Sequence, residues 1–121
     1  MQAEIKDFFE SGNEKIDLIL ELKEGKTPVK SSRGNIKYCE LIITNSNILL
    51  FAGKSLEQTC EFHNASITKE DIWLYDGGVI IEYEHRKGKY QVVITDNEIS
   101  FKIGKSECKL NTDDFKYEFR K

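Results

Sequence analysis

The sequence predicts a mainly β protein, a small antiparallel barrel or sandwich with short helices at its termini. Three observations carry this expectation. Residues 15–23 alternate apolar and polar side chains with period two. Asn45-Ser46-Asn47, Asp76-Gly77-Gly78 and Arg86-Lys87-Gly88 separate apolar runs at hairpin spacing. Eight or nine such runs recur about every ten residues in a chain of 121 residues with one proline.

In chain order, residues 3–10 place Ile5, Phe8 and Phe9 at helical spacing and stop at Ser11-Gly12-Asn13, which predicts a short helix serving as a lid or plug. In 15–23, Ile16, Leu18, Leu20 and Leu22 share one face, with Asp17, Glu21 and Lys23 on the other. Residues 24–33 contain Gly25, Pro28, Ser31 and Ser32 and read as a long loop. Strands over 36–44 and 48–52 flank the tight Asn45-Ser46-Asn47 connection. A strand over 58–63 follows, then a connection over 64–70. Strands over 71–75, 79–85 and 89–95 form a meander whose glycines supply the positive φ of its turns. Two further strands, 99–103 and 107–110, surround Gly104-Lys105. Thr112 or Asp113 then caps a short helix over 111–121 that carries Phe115 and Phe119.

At 121 residues and 14.0 kDa the chain is read as one domain over 1–121. The longest apolar run, five residues over 48–52, is too short for a membrane span. Eighteen Lys and Arg against 21 Asp and Glu give a net charge of −3, which excludes a general nucleic-acid coat. That figure averages two unlike parts. Residues 23–37 hold Lys23, Lys26, Lys30, Arg33 and Lys37 against Glu24 alone, a balance of +4, and the rest of the chain carries −7. The polar start Met1-Gln2-Ala3-Glu4 lacks a signal-peptide pattern, and three cysteines without a C-x-x-C pair suit reduced thiols. The expected location is the cytoplasm, with peripheral contact to a membrane. Asn64-Ala65-Ser66 is then a chance match to a glycosylation acceptor.

Catalytic chemistry is thin. His63 and His85 are the only imidazole bases, and neither belongs to a glycine-framed nucleophile motif. Cys60 and His63 have C-x-x-H spacing, but strict alternation in a strand sends positions three apart to opposite faces, which argues against zinc. Phosphate-cradling glycine loops are missing. Asp113-Asp114 reads as a helix start, and Glu82 and Glu84 read as an exposed strand face. Tyr83, Tyr90 and Arg86 make only a weak RNA-binding face, because strand aromatics ordinarily pack across strands. The expectation is no enzyme, no catalytic residue, no metal and no cofactor.

Residues 38–51, Tyr38-Cys39-Glu40-Leu41-Ile42-Ile43-Thr44-Asn45-Ser46-Asn47-Ile48-Leu49-Leu50-Phe51, resemble the second and third strands of PH-like domains of the GRAM, GLUE and bacterial PH kinds. The likeness covers about residues 15–95. It departs at the C-terminus, where those domains close the barrel with a long amphipathic helix and residues 99–110 here look extended. The resemblance implies a non-catalytic adaptor docking to a protein partner, to an anionic membrane headgroup, or to both, as part of a larger complex or longer chain. The basic loop with Lys23, Lys26, Lys30, Arg33 and Lys37 resembles the first loop with which PH domains hold headgroups. A GLUE-like identity implies ubiquitin and a sorting complex. The alternative function is a closed barrel carrying an apolar small ligand beneath the Phe8 and Phe9 segment.

Overall fold

The computed structural model describes residues 3–11, 16–26, 30–31, 37–44, 46–103 and 106–121. Helix α1 (Ala3–Ser11) precedes eleven strands: β1 (Asp17–Leu22), β2 (Lys30–Ser31), β3 (Tyr38–Ile43), β4 (Asn47–Gly53), β5 (Thr59–Ser66), β6 (Ile72–Tyr75), β7 (Gly78–His85), β8 (Gly88–Thr95), β9 (Glu98–Ile103), β10 (Ser106–Asn111) and β11 (Phe115–Arg120). They form two antiparallel sheets ordered β11-β1-β3-β4-β5 and β2-β10-β9-β8-β7-β6. The sheets do not close on one another, so the fold is the sandwich of the two expected forms.

Period-two patterning explains the packing. Leu18, Leu20 and Leu22 of β1, Cys39, Leu41 and Ile43 of β3, and Ile48, Leu50 and Ala52 of β4 all turn inward. They meet Val79, Ile81, Val92, Ile94, Ile99, Phe101 and Leu110 from the second sheet in one continuous apolar cluster. These side chains form the buried core between the two sheets. Ile19, which breaks the alternation in β1, is also buried, at 5% exposure.

The β3–β4 hairpin forms as expected. Thr44 Oγ1 accepts from the amides of Ser46 and Asn47, an ST-turn that holds the reversal. The β6–β7 turn also matches expectation, with Gly77 at φ +88. At the β7–β8 turn, however, Arg86 (φ +47) and Lys87 (φ +67) carry the left-handed backbone, and Gly88 pairs with His85. Gly88 is needed for another reason: a Cβ there would sit 3.0 Å from the Tyr90 ring. Two non-glycine residues in this conformation cost free energy. Replacing Arg86-Lys87 with Asn-Gly is expected to stabilise the protein by about 1 kcal/mol, read as a higher urea midpoint at unchanged slope.

Three other expectations need correction. The helix predicted over 111–121 is only a 3-10 turn at Thr112–Asp114, capped by the Asn111 side chain, and Phe115–Arg120 is strand β11. Leu18, Leu20 and Leu22 of β1 lie opposite Phe119, Tyr117 and Phe115, a ladder that outweighs the local helix signal. The long loop over 24–33 contains β2, where Lys30 and Ser31 pair with Lys109 and Cys108. The strand predicted over 58–63 continues to Ser66 and holds a register shift opposite Leu50 and Phe51.

Helix α1 forms where its spacing predicts and packs against the sandwich. Ile5 is buried, Phe8 packs against Phe119, and the Tyr117 hydroxyl donates to Glu4 Oε2 at 3.1 Å. That hydrogen bond leads the causes that raise the pKa of Tyr117.

Candidate docking surface

Of the five cations named from the sequence, the side chains of Lys23, Lys26 and Lys37 are among the described residues. Lys23 donates from Nζ to the Asp113 carbonyl at 2.8 Å, and its amide donates to the Asp114 carbonyl at 2.7 Å. Lys26 lies 3.9 Å from the Asp114 carboxylate. The 3-10 turn before β11 therefore partners both lysines, weakly for Lys26 because that pair is solvent-exposed. Lys37 is exposed, and its amide donates to the Gly53 carbonyl at 2.9 Å. The Lys30 backbone is placed by β2, while its side chain and all of Arg33 lie outside the described residues.

A different surface has the character of a binding edge. Strand β6 is the terminal strand of the six-stranded sheet, paired on one side to β7. Its sequence, Ile72-Trp73-Leu74-Tyr75, is apolar throughout, yet Trp73 is 62% exposed, Leu74 41% and Tyr75 44%. Ile72 and Leu74 lie opposite the buried Ile81 and Val79, so they belong to the inner face, and Trp73 and Tyr75 to the outer. Both faces of the strand are thus open to solvent. Gly78 supports this arrangement, because a Cβ there would lie 2.7 Å from the Tyr75 hydroxyl and 2.8 Å from the Ile94 carbonyl. The absence of a side chain at Gly78 lets the Tyr75 ring lie across the sheet.

Charge around β6 has one dominant sign. Lys69, Glu70 and Asp71 precede it in a 3-10 turn, Asp76 follows it, and Glu82 and Glu84 lie on the outward positions of β7. Asp71 is held by its own turn, accepting from the Thr68 amide at 2.8 Å. Glu82 accepts from Gln91 at 3.0 Å. A surface groove of about 700 Å³ runs outward from Asp71 past Glu82 and Glu84 to Lys89 and Lys102 on the strands farther from β6.

The two histidines belong to one cluster of rings with Tyr83 and Tyr90. The register shift in β5 sets His63 opposite Leu50, facing inward, and strict alternation does not anticipate this. His63 is buried, and its Nε2 is hydrogen-bonded to the Tyr83 hydroxyl on the opposite sheet. Tyr83 stacks on Tyr90 with centroids 5.5 Å apart, and His85 lies 5.9 Å from His63. Burial, followed by the neighbouring Tyr90, pushes the Tyr83 pKa well above its ordinary value. This buried aromatic group bolts the two sheets together. The side chain of Cys60 lies outside the described residues. Among the described residues no group of three or more His, Cys, Asp or Glu is arranged to hold a metal ion.

A second cleft, of about 560 Å³, opens beneath α1 at the rim, where Ile5, Leu20 and Phe115 meet Lys23, Asp96 and Asp113. Ile5, Leu20, Ile94, Ile99 and Phe115 of its lining belong to the buried core. No described helix is long and apolar enough to cross a membrane. No family model matches the chain, and neither a curated protein nor a solved structure matches it.

Proposed function

We propose that this chain is a non-catalytic docking module of PH-like kind, which receives an extended segment of a protein partner on the free edge of β6. One observation carries the reading: three consecutive large apolar side chains stand exposed on a terminal strand. An unpaired edge offers main-chain donors and acceptors, and exposed aromatics beside it supply apolar contact area, the two ingredients of recognition by strand addition. Folded proteins ordinarily blunt such edges, so one left apolar points to an occupant. The likeness of residues 38–51 to PH-like hairpins supports a scaffold whose function lies at its edges. The headgroup reading of loop 23–37 draws less support, because Lys23 and Lys26 already have oxygen partners in the protein.

The test pairs two surfaces. Proteins retained by the wild type from its source cells, with ubiquitin among those assayed directly, are expected to be lost on Trp73→Glu with Tyr75→Glu. They are expected to persist on Lys23→Ala with Lys37→Ala. Sedimentation with phosphatidylserine vesicles is expected to match that with neutral vesicles. Pelleting that depends on anionic lipid and is lost with the lysine variant would replace the protein partner by a membrane.

A further inference from the structure

Resting on the docking role of β6, we infer that its occupant is a basic strand: an extended segment with Lys or Arg on both sides of a short apolar or β-branched run. Residues 69–84 carry five carboxylates, Glu70, Asp71, Asp76, Glu82 and Glu84, against Lys69 alone. They are not scattered. Glu70 and Asp71 stand at the entry to β6, Asp76 stands at its exit, and Glu82 and Glu84 lie on the strand next to it. Any chain laid along the edge therefore meets negative charge at each end and apolar side chains between. Asp71 and Asp76 are five positions apart, about 16 Å of extended chain, so cations at the same separation would align with both.

The same charges disfavour the simplest other occupant, a second copy of this chain. Antiparallel self-pairing of β6 over its full length would set Ile72 against Tyr75 and Trp73 against Leu74. It would also place Asp71 of each copy opposite Asp76 of the other, acid facing acid twice by symmetry. Carboxylates at both ends thus act as a filter. They reject the edge of an identical molecule and attract a strand of opposite sign.

Trp73 is the sole tryptophan, so its fluorescence reports occupancy of this edge directly. The probe is a cyclic β-hairpin peptide whose free strand reads Lys-Thr-Val-Thr-Val-Lys, compared with the same peptide carrying Glu at both ends. The lysine peptide is expected to shift Trp73 emission to the blue and to bind about tenfold tighter at low salt, with the difference fading as salt rises. Glu70→Gln with Asp76→Asn is expected to bring the two affinities together. Equal binding of both peptides to the wild type would overturn the charge selection and leave strand addition intact. Failure of both to alter Trp73 up to millimolar peptide would overturn the docking role as well. Sedimentation of the free protein as a dimer that Trp73→Glu dissociates would make a second copy the occupant and overturn the inference.

Discussion

Leu41→Ala is expected to lower the unfolding free energy by about 3 kcal/mol. Leu41 is fully buried on β3, opposite Leu20 of β1 and Leu50 of β4, so its removal empties the centre of the five-stranded sheet. Backbones held by strand pairing on both sides collapse poorly into such a hole, which places the cost well above simple transfer of the lost methylenes. A domain of this size holds roughly 5–15 kcal/mol in all, so a large share of its stability goes with one side chain. Urea unfolding followed by far-ultraviolet circular dichroism would measure it. A midpoint shift worth less than about 1 kcal/mol would show the core to be looser than its burial indicates.

The second large effect appears at alkaline pH. Cys39 is 1% exposed, and burial first, then the neighbouring Cys108 and Glu40, raises its pKa above the ordinary thiol value of 9.0. Burial raises Tyr83 above 10.0, with Tyr90 adding to the effect. In both groups the folded state favours the neutral form. Their contribution is therefore fully present below the unfolded pKa and is lost as pH rises, because the unfolded chain releases its proton first. Each group takes away about 1.4 kcal/mol per pH unit once its unfolded pKa is passed, roughly 4 kcal/mol for the pair between pH 9 and 11. Urea midpoints measured from pH 7 to 11 should fall along this course. Cys39→Ala and Tyr83→Phe should each flatten it, whatever they cost at pH 7. A flat wild-type profile would contradict the burial of both groups.

Which features could be read from the residues follows from the range of the forces involved. Hairpins were legible because their turns are local: Thr44 and Gly77 act on neighbours two or three positions away. The filled side of each strand was legible because period two projects directly onto burial. Phe115–Arg120 carries a local helix signal because Asn111 and the carboxylates after it make a genuine cap, and only pairing with β1 overrides it. The inward turn of His63 depends on a register shift that leaves no compositional mark. The charge excess over 23–37 is plain in the sequence, but Lys23 and Lys26 find oxygens in a turn some ninety residues away. Ile72-Trp73-Leu74-Tyr75 reads as an interior strand by hydropathy alone. Its exposure follows from sheet order, although acids on either side of a short aromatic strand were a usable signal.

The pairing of β1 with β11 also bears on how this protein is made. Asp17 meets Arg120 across about a hundred residues of intervening chain, so the five-stranded sheet cannot be completed until residues 115–120 have been synthesised. Before then β1 is itself an unpaired edge, and Leu18, Leu20 and Leu22 lack the aromatic ladder that later lies beside them. Closing a loop of that length comes late and slowly. Until that closure the outer edge of β1 stays open, and slow closure prolongs its exposure to other chains.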